Sequence, residues 1–124
     1  MQTHNSNKQK SITYDLEKRT TEFAKNLILL CAKESITTVK KPIVEQVLRS
    51  ATSVGANYRE ANGADSKRDF RSKISICKKE AKETMFWIEL LEALSTQKVA
   101  LHVLWTEAHE LSLIFSSITR KLRD

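Results

Sequence analysis

Three histidines and two cysteines are the side chains of this sequence most suited to metal binding or catalysis. His102 and His109 stand seven residues apart, which on a helix puts both on one face. His4 lies far away near the start. Two imidazoles fall short of a zinc site, and no H-E-x-x-H occurs. A di-iron bundle needs Glu-x-x-His on two helices, and Glu107-Ala108-His109 has the wrong spacing. The histidines therefore read as surface residues, with no metal and no cofactor expected. Cys31 and Cys77 form no C-x-x-C and each falls on an apolar helical stripe. There a free thiol behaves as a small hydrophobe, so the two read as buried and reduced. No serine occupies a G-x-S-x-G elbow. Gly55 and Gly63, the two glycines, sit in no phosphate-binding loop. With no paired general acid and base, the chain is not expected to be an enzyme.

Two constellations remain. Arg49, Ser53, Asn57 and Glu60 are spaced 4, 4 and 3 residues apart and form a polar stripe. If partly buried, Arg and Glu can satisfy one another. The stripe reads as a register or subunit-interface device, with a ligand or nucleic-acid site as the other reading. The second constellation is basic. Lys67, Arg71, Lys78 and Lys82 fall within about 60° of one another on a helix, and Arg68 and Lys79 widen the face to about 120°. Six cations on one face suit phosphates. Glu80 and Glu83 next door favour the plainer reading of a solvated charged face. No aromatic residue is interleaved with these cations, so base stacking is not suggested.

Four amphipathic segments must carry these residues. Leu16, Thr20, Phe23, Leu27 and Cys31, with Leu30, mark a helix from about Asp15 to Glu34, with Asp15 as a cap or first-turn acid. Residues 1–13 show no apolar period and read as a flexible leader before a bundle domain over 14–124. Residues 35–41 read as a connection. Pro42 suits a first helical turn, followed by Val44, Val47, Ala51, Val54 and Tyr58. Asn62-Gly63 reads as the stop. Gly55 lies inside that helix, where a missing side chain permits close approach of a neighbour. Asp65 or Ser66 caps a third helix with Phe70, Ile74, Cys77, Ala81, Thr84, Ile88 and Leu91 on one face. Leu101, Leu104, Ala108, Leu111, Phe115, Ile118 and Leu122 mark the fourth. Alternating spacings of 3 and 4 make a seam that packs at a shallow angle. The expectation is an all-α, antiparallel, up-down-up-down four-helix bundle.

Composition agrees. A chain of 124 residues with two Gly and one Pro cannot supply the turns of a β-sandwich or barrel. Lys plus Arg exceeds Asp plus Glu by 21 to 15, a net charge of +6 spread along the chain with no polybasic tail. That balance favours phosphate or an acidic protein surface without establishing either. No signal peptide is seen, and apolar runs such as residues 27–32 are far shorter than a bilayer span of ~20 residues. No membrane contact is expected, and the cytoplasm is the expected setting.

The end of the third helix is apolar nearly all round. Counted from Lys67 at 100° per residue, Met85 falls near 0°, Phe86 near 100°, Leu90 near 140° and Trp87 near 200°. One core cannot receive all four, so Met85, Phe86, Trp87 and Leu90 are read as an interface between copies of this chain.

Residues 49–91 also carry a composite pattern. It runs R-x-A-x-S-[VI]-x-A-N, then E, then S-K-x-[DE]-F, then E-[AS]-x-E-[TS]-x-x-[WY]-[IL]. Here it is formed by Arg49, Ala51, Ser53, Val54, Ala56, Asn57 and Glu60. It continues through Ser66, Lys67, Asp69 and Phe70, then Glu80, Ala81, Glu83, Thr84, Trp87 and Ile88. In this the chain resembles a bacterial family of four-helix-bundle proteins encoded in intervening sequences of 23S rRNA genes, over about residues 14–122. The resemblance implies a left-handed up-down bundle that assembles into homopentamers, with no enzymatic activity. Family members are described as ribosomal-type proteins, and their role is not established. The accessory variability determinant of diversity-generating retroelements is similar in fold. It binds a reverse transcriptase and nucleic acid, but shares only fold and charge with this chain. Two functions follow as expectations. The first is a non-catalytic, self-assembling protein that binds RNA, rRNA included, through its basic face. The alternative is a protein-interaction adaptor, such as a reverse-transcriptase accessory protein.

Overall fold

The structure is a computed structural model that describes residues 2–123, with side chains described from Leu16 onward. It contains four helices: α1 (Gln2–Ala32), α2 (Lys40–Asn62), α3 (Lys67–Glu92) and α4 (Lys98–Lys121). No strand occurs among the described residues. The backbone of α1 is helical from Gln2, so Asp15 does not stand at a helix start. An absent apolar period denies residues 2–13 a core-facing stripe, but with no Gly or Pro nothing in them breaks a helix. The side chains of His4 and Asp15 lie outside the described residues.

The other boundaries follow local chemistry. Pro42 stands in the first turn of α2, where its missing N–H costs no hydrogen bond. Ser66 caps α3, its hydroxyl accepting from the Asp69 amide at 3.0 Å, and Asp69 puts an acid in the first turn. Helix α2 ends at Asn62, and Gly63 N–H reaches back to the carbonyls of Arg59 and Glu60.

The four seams meet in one core. Phe23, Leu27, Val47, Val54, Ile74, Ile88, Leu91, Leu101, Leu111 and Phe115 are fully buried. Each such side chain contributes roughly 1.5–3 kcal/mol by leaving water. Helices α2 and α3 pack most extensively, and α1 touches α4 least. Cross-helix partners run in opposite order. Arg49, Val54 and Glu60 on α2 meet Glu83, Cys77 and Lys73 on α3. Arg19 and Leu30 on α1 meet Glu107 and Gln97 on the α4 side. This is the order expected of antiparallel neighbours. At Gly55 a Cβ would lie 3.4 Å from Thr20 Oγ1, which marks the close approach of α1 and α2.

Candidate nucleic-acid interface

The basic residues of α3 are brought to its α4-facing side. Arg71, Lys78, Lys79 and Lys82 line a groove of about 470 Å³, together with the hydroxyl residues Ser75 and Thr119 and with Arg123 just beyond α4. Lys67 and Arg68 are exposed at the start of α3 and do not line it. Among the described residues, no carboxylate lines the groove. The acids next door in sequence point away from it. Glu80 and Glu83 turn toward α2, where Arg49 Nη1 donates to Glu80 at 3.2 Å and Nη2 to Glu83 at 3.1 Å. Their charges are met there, so every charged residue described in the groove lining is a cation. Arg123 was not among the sequence candidates. It lies past the end of α4, so no helical spacing pointed to it.

Among the described residues, no aromatic residue lines the groove itself, but further along the α3–α4 pair α4 supplies aromatic rings. His102 lies nearly parallel to Trp105, with ring centroids 5.7 Å apart and 6° between planes. His109 sits 5.5 Å from the same indole at 31°. Trp105 Nε1 donates to Glu89 Oε2 on α3 at 2.9 Å. Both histidines are exposed.

The polar stripe of α2 is divided among different partners. Arg49 and Glu60 do not pair with each other: Arg49 holds Glu80 and Glu83, while Lys73 Nζ donates to Glu60 at 2.7 Å. Seven or more residues along a helix is too far for one side chain to bridge when a partner on α3 is nearer. Asn57 Nδ2 donates to Ser53 O and Oγ, at 2.9 and 3.0 Å. The stripe joins α2 to α3 in register. A buried bond from Thr84 Oγ1 to Ser50 Oγ, at 2.9 Å, adds to it.

Of the four apolar residues read as an interface, Phe86 is 51% and Leu90 37% exposed. Met85 and Trp87 are partly buried and pack against the core. Met85 therefore does not point away from the bundle, because the α3–α4 contact receives it.

Other polar features were not read from sequence. Arg19 clamps Glu107, its Nε and Nη2 donating at 2.7 and 2.9 Å, across a 790 Å³ groove between α1 and α4. That groove carries both charge signs. At the far end, Glu34 accepts from Ser95 Oγ at 2.6 Å and from Gln97 Nε2, and pairs with Lys40 Nζ at 3.2 Å. Burial opposes ionisation of Glu34, but these hydrogen bonds and Lys40 outweigh it and hold the carboxyl below its ordinary value. Cys31 and Cys77 are free and buried. Burial, with Glu34 nearby, pushes the Cys31 thiol up to about 11. Burial likewise pushes Cys77 up to about 12. Neither is a poised nucleophile at neutral pH. Among the described residues, no group of three or more His, Cys, Asp and Glu side chains is placed to hold a metal ion. No helix of the described residues is long and apolar enough to cross a membrane.

Fold and groove together define a small four-helix-bundle protein with a cationic furrow between its last two helices. The chain belongs to the 23S rRNA-intervening sequence protein family, whose model matches residues 13–117. It is similar to a crystal structure of a protein of unknown function from the S23 ribosomal protein family of Bacteroides thetaiotaomicron. The two are 32% identical with a TM-score of 0.72, over 84% of this chain and 97% of the other. No curated protein matches it.

Proposed function

We propose that this protein is a non-catalytic, self-assembling bundle protein that binds RNA, rRNA included, through the α3–α4 groove. One observation carries the reading. Five cations converge on a single furrow with two hydroxyl residues, and no carboxylate among the described residues lines it. Phosphate oxygens accept from just such donors, and each cation–phosphate contact releases counterions. Self-assembly is supported by exposed Phe86 and Leu90, which a second copy would cover. The cytoplasm suits the reading, since buried thiols stay reduced there.

The test is RNA binding as a function of salt. Changing Lys78, Lys79 and Lys82 to Glu should weaken binding and reduce the log–log salt slope by about 2 or more. Unchanged affinity after the triple change removes the reading. The competing function, a protein-interaction adaptor such as a reverse-transcriptase accessory protein, draws on the exposed apolar residues of α3. Its complex would be insensitive to salt, whereas RNA contact weakens steeply.

A further inference from the structure

The furrow between α3 and α4 does not end at its cations. On α3 its wall runs from Arg71 and Lys78 to Lys82 and then Glu89. On α4, beyond Thr119, Trp105 is bonded to Glu89 across the α3–α4 seam and His109 and His102 stand beside its ring, with His102 also lining the α1–α4 groove. Lys82 and Glu89 are about 10 Å apart along α3, and Thr119 and His109 about 15 Å along α4. A few nucleotides of single strand cover that distance. We propose that the His102–Trp105–His109 cluster is a base-stacking platform for single-stranded RNA whose phosphates occupy the cationic groove. This rests on the RNA reading above.

Three observations carry it. The rings are already stacked, with His102 parallel to the indole, and both histidines are exposed to an incoming base. Trp105 is tied across the furrow by Glu89, so the cluster is fixed before any ligand arrives. The chemistry also changes along the furrow. Cations and hydroxyls at one end suit phosphate, while the Glu89 carboxylate at the other disfavours it. A strand held by its phosphates among the cations therefore reaches the aromatic end with a terminal base rather than with a further phosphate. Every base has a π-face, so the contact tolerates sequence. Duplex bases are stacked and paired already and gain nothing from the platform.

The experiment measures binding of a uridine oligonucleotide, an RNA duplex of equal length and inorganic polyphosphate. The variants are His102→Ala with His109→Ala, and His102→Phe with His109→Phe. Both positions are exposed, so each protein should fold, which circular dichroism checks. The Ala pair should weaken single-strand binding about tenfold, with duplex and polyphosphate binding within about twofold of the starting protein. Its salt slope should be unchanged, because no phosphate contact is lost. The Phe pair should restore the affinity. Unchanged single-strand binding in the Ala pair, or equal losses on all three probes, would overturn the platform while leaving the groove reading intact. If the starting protein binds none of the probes at low salt, the RNA reading falls and the platform with it.

Discussion

Glu34 shows how far one side chain departs from what its neighbours in sequence suggest. It reads as the last residue of the first helix, next to a polar connection, yet its side chain is 2% exposed. Four groups from three segments meet there: Lys40, Ser95, Gln97 and the Leu30 carbonyl. No local pattern announces such a cluster, because its members are up to 67 residues apart in sequence. Its pH behaviour follows from sign. The folded carboxyl is held below its ordinary value, so the ionised form stabilises the fold. That contribution is complete above the unfolded carboxyl value near ~4.3 and is lost as pH falls through the lowered folded value. Glu34→Gln should cost about 1–3 kcal/mol at neutral pH, since Lys40 is left buried without its counter-charge. The variant's melting temperature should also vary less with pH in the acid range. Identical acid profiles for the two proteins would show that Glu34 does not hold this end together. Arg49 invites a parallel test. It is 44% exposed, but its partner Glu80 is only 9% exposed. Arg49→Ala should cost about 1–3 kcal/mol by stranding Glu80. Arg49→Lys should recover part of it, since a single ammonium cannot present two separate nitrogens to Glu80 and Glu83.

Elements were more legible than residues, and the reason is periodicity. Spacings of 3 and 4 place Leu16, Phe23, Val47, Ile74, Leu101 and Phe115 inward regardless of what surrounds them, and all are buried. The Ser66 cap was legible for the same local reason. The furrow was not. Its second wall comes from α4, and nothing along α3 tells which neighbour lies beside Lys78 or that Trp105 completes the far end. Glu80 and Glu83 stand next to the cations in sequence, but Arg49 on another helix draws them toward α2, which nothing along α3 announces. Gly55 tests the element scale directly. A methyl group there meets Thr20 Oγ1 at an ordinary contact distance of 3.4 Å. Gly55→Ala should therefore be neutral or stabilise the protein by up to about 1 kcal/mol through better helix propensity. Gly55→Leu would force α1 and α2 apart and should cost about 1–3 kcal/mol. Thermal melts of the two variants falling in the reverse order would mean that the glycine is not there for helix approach.

At the scale of the whole molecule, the two surfaces that matter lie on different sides of α3. The cations Arg71, Lys78 and Lys82 face α4. Phe86 and Leu90 come about 80° further round, on the solvent side, at the same angle as Lys79 on the furrow's outer edge. Assembly through the apolar residues would therefore leave Arg71, Lys78 and Lys82 open beside α4, once per subunit. Linked copies of a weak phosphate site gain affinity without any new contact, provided one strand reaches two of them. Assembly and RNA binding should then be separable by mutation but coupled in magnitude. Phe86→Glu with Leu90→Glu places two charges on the outer face and leaves the core residues Ile88 and Leu91 in place. Sedimentation should give the mass of an assembly for the starting protein and 14.2 kDa for this variant. Long RNA should bind the variant at least about tenfold more weakly, while an oligonucleotide that spans one furrow should bind both proteins alike. A variant that sediments with the same mass as its parent would show that Phe86 and Leu90 are not the contact. A monomeric variant that binds long and short RNA equally well would instead show that assembly serves something other than holding RNA.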